Sequence, residues 1–186
     1  MVTINSSFIG NFRLGDNINH NLDVLAVLYR HFADANDEDK RLLCKPIVLG
    51  IASIIEAVLY DLHLRIRTFT REGVSNLAAT ALDYVKGKRI DDFEKFIASA
   101  RKHDFFPQGD AGFYDRLTVL RQLRNRIHIQ NEGGHFEPLE FNAFTEARKI
   151  EAERMLEKTL VIMAERYARP HKYVRDFELP WEAHFA

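Results

Sequence analysis

From Phe113 to Ile129 the chain reads Phe-Tyr-Asp-Arg-Leu-Thr-Val-Leu-Arg-Gln-Leu-Arg-Asn-Arg-Ile-His-Ile. At about 100° per residue, Phe113, Leu117, Leu120, Leu123 and Ile127 fall on one stripe of a helix, and Arg121, Arg124, Asn125 and His128 on the stripe beside it. Arg116 and Arg126 add to the basic charge, and Asp115 alone opposes it. Like charges one turn apart cost a helix roughly a few tenths of a kcal/mol unless an anion or carboxylates compensate. The pattern therefore has two physical readings. One is an anion site in which arginines stand beside a histidine, the side chain whose ordinary pKa lies nearest neutrality. The other is a basic face that is solvated or paired to the glutamates of the last helix. Taken alone, His128 reads as a helix-terminal histidine set against the C-terminal dipole.

Glu56 is the second residue of interest. It sits in a run of apolar residues, where a carboxylate needs a partner, and an arginine from the Phe113 helix is the natural one if the two helices pack together. Whether that pair is purely structural or also positions a working arginine, the residue pattern leaves open. Ser53, Glu56, Tyr60, His63 and Arg67 recur at helical spacing and make a polar seam beside the apolar stripe.

Other chemistries find little support. Glu132-Gly-Gly-His135 has the Glu-x-x-His form, but it stands in a glycine turn and occurs once, whereas a di-iron bundle needs two such motifs on helices. No Gly-rich loop with a following Lys-Ser/Thr, no His-Glu-x-x-His and no Gly-x-Ser-x-Gly is present. The eight histidines show no other ligand spacing. Neither a metal nor a cofactor is expected.

The elements that must carry these residues read as helices. Ile47, Ile51, Ile54, Ile55, Val58, Leu62 and Ile66 recur at three- and four-residue steps and predict a helix over about 40–67, with Pro46 near its start. A first helix is expected after Asn19 or Asn21, ending before the acidic run 34–39, which reads as a solvated turn. A short helix is expected over 74–86, another over 91–103 ending at Phe105-Phe-Pro107, and a long last helix over about 141–166. No strand is indicated. The expectation is an all-α, up-and-down bundle of four to six helices over 22–168, with an N-terminal arm over 1–21 and an irregular C-terminal tail over 169–186.

Composition bounds the function classes. With 186 residues, 46% hydrophobic and 28% charged, the chain can bury a core, and disordered or fibrous classes are excluded. Lysine and arginine total 26 against 27 acids, a net charge of −1, so no global field draws it onto nucleic acid or an anionic membrane. Cys44 is the single cysteine, so there is no internal disulfide. The N-terminus lacks a basic start followed by an apolar run. Glu56 and Asp61 interrupt the most apolar stretch, 46–64, short of the roughly 20 residues a membrane span needs. The expectation is a cytoplasmic protein with no membrane partner.

The segment Leu123-Arg124-Asn125-Arg126-Ile127-His128 resembles the HEPN (higher eukaryotes and prokaryotes nucleotide-binding) domain family, helical bundles with an arginine, a polar residue and then a histidine four to six residues beyond. Three residues separate Arg124 from His128 and six separate Arg121 from it, so two arginines are open for the family role. Ser53-Ile-Ile-Glu56-Ala-Val-Leu59 is similar to the Ser/Glu/Leu pattern of an early HEPN helix, and the likeness covers about 22–166. It implies a metal-independent endoribonuclease, of the kind found in toxin-antitoxin or phage-defence systems, with the motif paired across a homodimer. His128 would then be the general acid or base, and Arg124 or Arg121 would stabilise the charged phosphorane. Asn125 would orient phosphate or His128, Arg116 and Arg126 would contact substrate, and Glu56 would give support. RNA, a second copy and a cognate antitoxin are the implied partners. The alternatives are a HEPN-like domain that binds RNA, nucleotide or protein without catalysis, and a helical interaction domain whose arginines only make salt bridges.

Overall fold

The computed structural model describes residues 2–68, 73–107, 112–128, 137 and 139–185. Its elements, in chain order, are β1 (Val2–Ile4), α1 (Phe12–Asp34), α2 (Asp37–Thr68), α3 (Ala79–Lys86), α4 (Phe93–Lys102), α5 (Phe113–Asn125), α6 (Glu140–Ala143), α7 (Glu146–Arg166) and β2 (Phe177–Leu179). The protein is an all-α bundle built around α2, which packs against α1, α3, α4, α5 and α7. The sequence places α2 there. Its apolar residues run almost all round the helix, and Ile47, Val48, Ile51, Ile55, Val58, Leu59 and Leu62 are fully buried. Among the described residues α2 is the one helix long and apolar enough, by length and composition, to cross a membrane, and half of its most apolar stretch is buried inside the bundle.

Helix starts follow local chemistry. Asn11 caps α1 by accepting from the Leu14 N–H at 3.1 Å, Asn36 does the same for the Asp39 N–H at 2.9 Å, Asp92 for Lys95 at 2.8 Å and Thr145 for Arg148 at 3.3 Å. Several boundaries differ from expectation. Helix α1 begins at Phe12 rather than after Asn19, because Asn11 supplies the cap and Gly15 and Ile18 are already buried. The acidic run does not stay a turn: Asp37, Glu38 and Asp39 form the first turn of α2, where the helix dipole favours them. Pro46 lies inside α2, not in its first turn. The last helix is broken into α6 and α7 at Phe144 and Thr145, since Thr145 caps a new start.

The arm and the tail are ordered together. Strand β1 pairs antiparallel with β2, Val2 opposite Leu179 and Ile4 opposite Phe177. The Ser6 N–H donates to Asp176 at 3.1 Å, and the Ser6 hydroxyl donates to the Val174 carbonyl at 2.9 Å. Buried Asp61 on α2 accepts from the Gly10 and Asn11 N–H groups and pairs with Arg65 at 3.0 Å. Arg65 in turn donates to the Tyr167 carbonyl at 3.3 Å. Gly73 packs against this arginine at φ +69°, where a Cβ would also lie 2.9 Å from the Tyr167 carbonyl oxygen, so only glycine fits.

The tail then crosses α7. Tyr29 and Lys149 both donate to Glu153, Lys149 at 2.7 Å, and the His184 ring meets the other oxygen of Glu153 at 2.8 Å. Glu157 accepts from Trp181 Nε1 at 3.3 Å and from the backbone N–H groups of His184 and Phe185, both at 3.1 Å. Trp181 to Phe185 thus forms a strap held by two buried carboxylates. Burial beside Glu153 pushes the Tyr29 phenol far above its ordinary pKa, which keeps it a donor.

Candidate functional site

Helix α5 is oriented by its apolar stripe: Phe113, Leu117, Leu120 and Leu123 are buried. Its arginines therefore leave along the flanks, and each reaches a different neighbour. Arg116 pairs with Glu151 of α7 at 2.8 Å, Arg121 with Glu94 of α4 at 3.0 Å, and Arg124 with Glu56 of α2 at 2.6 Å. Arg126, just past the helix, donates to the Glu137 carbonyl at 2.7 Å. The four cations expected on one segment thus serve four separate contacts.

The helix ends sooner than its periodicity implies. After Asn125 the N–H groups of Arg126, Ile127 and His128 bond three residues back, at 3.1, 3.2 and 3.4 Å, which tightens the last turn. That turn carries Ile127 off the core stripe and leaves it 60% exposed, contrary to its expected burial. It also places His128 outside the helix, exposed, with no side-chain partner among the described residues.

Arg124, Asn125 and Glu56 form the assembled part of the site. Glu56 holds one end of the guanidinium while Asn125 Oδ1 accepts from the other at 3.4 Å, and the Arg124 side chain remains 38% exposed. Burial pushes the Glu56 carboxyl above its ordinary pKa, and Arg124 opposes that shift. A guanidinium oriented by partners at both terminal nitrogens and still partly in water can accept an anion without first being ordered. Arg121 is less available: its side chain is 19% exposed and lies over a groove of about 280 Å³ between α4 and α5, which the Arg101–Asp115 pair also crosses.

The polar seam of α2 turns toward α4 and α5. Tyr60 packs edge-on against Phe96, and Arg67 donates to the Ile90 carbonyl at 2.9 Å. His63 is no surface residue. It is buried between Phe96 and Phe105, its Nδ1 lies 2.7 Å from the Leu59 carbonyl, and burial lowers its pKa to about 4. Glu132 and His135 lie outside the described residues. Among the described residues no group of three or more His, Cys, Asp or Glu side chains is placed to hold a metal ion.

Comparison with protein-family models, with curated proteins and with solved structures returned no match in any of the three. Sequence reasoning passed over the Glu153 and Glu157 pair. The available signal was two carboxylates four residues apart on a helix face that also carries Ala152, Met155, Leu156 and Leu160, with Lys149 one turn before the first of them.

Proposed function

We propose that the C-terminal end of α5 is the working part of a HEPN-like, metal-independent endoribonuclease. The observation that carries this reading is the Arg124 guanidinium, held by Glu56 at 2.6 Å and still partly open to solvent, one turn before an exposed histidine. In this scheme His128 takes the proton from the ribose 2′-hydroxyl, whose oxygen attacks the adjacent phosphorus. Arg124 neutralises the charge gathering on the phosphorane oxygens, and Asn125 keeps the guanidinium in register. The 5′ oxygen leaves and takes up a proton, so the upstream strand ends in a 2′,3′-cyclic phosphate. The need for a 2′-hydroxyl makes DNA a non-substrate. The same histidine of a second copy would serve as the acid, and Ile127 and Tyr60, both exposed, offer that copy apolar contacts.

A second reading rests on the ion pairs. Arg116, Arg121 and Arg124 each reach a carboxylate on a different helix, as expected of struts in an interaction domain. One experiment separates the two. Purified protein is incubated with single-stranded RNA beside Arg121→Ala, Arg124→Ala and His128→Ala, and cut ends are tested for cyclic phosphate. The nuclease reading expects loss in Arg124→Ala and His128→Ala; cleavage undiminished in His128→Ala overturns it.

A further inference from the structure

At its first turns, well before Glu56, α2 carries apolar side chains that the bundle leaves uncovered. We propose that the two grooves flanking Leu42 dock a basic amphipathic helix of a partner protein. One groove, of about 670 Å³, lies between α2 and α6 and is lined by Leu42, Phe141 and Phe144 with Asp37 and Glu38. The other, of about 480 Å³, lies between the end of α1 and α2 and is lined by Leu42, Leu43, His31 and Ala35 with Asp34 and Asp39. Leu42 lines both, which makes the two grooves one surface.

Leu42 at 70% and Phe141 at 66% are the most exposed large apolar side chains among the described residues, and they border the same groove. A single apolar side chain in water is ordinary, but two beside a concave surface mark a place where another molecule removes them from water. The flexible partner of such a groove is a helix that lays an apolar face into it.

Charge names the partner. Asp34, Asp37, Glu38 and Asp39 border the grooves, and none of them is ion-paired among the described residues. The cations nearby have other contacts: Lys45 pairs with Glu140, Arg41 stacks on the Phe141 ring at 3.8 Å, and Lys40 lies over Phe32. With Glu140 counted, five carboxylates stand against those three cations, whereas the whole chain is nearly neutral at −1. An acidic surface repels nucleic acid and an anionic membrane. It also disfavours a second copy of this chain, because a two-fold contact would set the acidic face against itself. A helix with leucine or phenylalanine at i, i+4 and i+7 fills the grooves on both sides of Leu42, and lysine or arginine on its flanks meets the carboxylates. Leu42 stands about 20 Å along α2 from Glu56, so the docked helix leaves the Arg124 site open. The proposal does not depend on the ribonuclease reading.

The test is fluorescence anisotropy of a labelled peptide of about 18 residues, long enough to turn helical, with leucine on one face and lysine elsewhere, titrated with the intact chain. The lysine peptide is expected to saturate and to weaken as salt is raised. A peptide with glutamate in place of every lysine should bind at least about tenfold more weakly. Leu42→Gln should weaken the lysine peptide about tenfold or more. Asp34→Asn combined with Glu38→Gln should weaken it too and flatten its salt dependence. Thermal melting followed by circular dichroism reports the fold in each variant; should Leu42→Gln alter it, Phe141→Ser replaces that variant with the same expectation. The proposal is overturned if the lysine peptide does not saturate, if the two peptides bind alike, or if affinity is unaltered in Leu42→Gln. Sedimentation velocity that shows the chain associating with itself, and Leu42→Gln abolishing that association, would assign the surface to a second copy and overturn it as well.

Discussion

On α7, Glu153 and Glu157 are sealed beneath the strap, each 3% exposed or less, and their oxygens are filled by Tyr29, Lys149, His184, Trp181 and the backbone of Phe185. At the end of α5, Glu56 meets a single arginine and leaves part of it in water. The same chemistry is put to opposite uses. A buried carboxylate with all its donors in place fixes the geometry of the chain, because removing it strands several desolvated groups at once. A half-exposed pair adds little to stability, and in the proposed site it keeps a cation oriented for a phosphate. Burial, rather than residue type, separates scaffold from site.

The comparison can be broken at either end. The largest effect is expected from Glu157→Ala, which leaves the Trp181 indole and two strap N–H groups without an acceptor; a loss of about 3 kcal/mol or more should appear in urea unfolding. Trp181 emission should shift to the red in the same variant. Unaltered emission and midpoint would show that the strap is held by something other than Glu157.

Next comes acid. The folded-state pKa of His63 is about 4 against an ordinary 6.5, so below pH 6.5 the unfolded chain binds a proton that the native state refuses. Stability is therefore full above that value and falls as pH drops from 6.5 toward 4, by up to about 3 kcal/mol. Urea titrations at neutral pH and near pH 4.5 should differ by on the order of 2 kcal/mol from this source. His63→Phe, which keeps a ring against Phe96 and Phe105, should remove that slope.

Smaller still is the stability cost of Arg124→Ala, about 1 kcal/mol or less for so exposed a pair, set beside a loss of cleavage on the order of 100-fold. A variant whose stability and cleavage fell together would place Arg124 with the scaffold. The smallest change is expected from Glu94→Ala, within about 0.5 kcal/mol. That substitution frees Arg121, so cleavage that rises in Glu94→Ala and falls in Arg121→Ala would assign Arg121, not Arg124, to the phosphate.

The all-α class was legible because helical periodicity is strong in α2 and α5, and a partner for Glu56 among the arginines of α5 was legible because a carboxylate in so apolar a helix demands a cation; that the partner is Arg124 came from the packing. The ordered ends were not. Strands of three residues, Val2–Ile4 and Phe177–Leu179, are too short to show alternation, and their pairing depends on contacts far apart in sequence. Ile127 misled because the projection assumed an unbroken helix through it, while the backbone tightened after Asn125. The divergence of Arg116, Arg121 and Arg124 was beyond reach for a further reason. A helical wheel gives directions around one helix, but which neighbour stands in each direction is set by tertiary packing.

The clasp between the two ends has a kinetic consequence. Ser6 and Asp176 are 170 positions apart, so their contact forms only after a very long loop has been closed, whereas the turns of α2 need no such search. Contacts made after the folding barrier act almost entirely on the rate of unfolding. Stopped-flow measurements on Asp176→Ala should show faster unfolding at an unchanged refolding rate. The short sheet would then work as a brake, setting how long the bundle stays closed rather than how fast it forms.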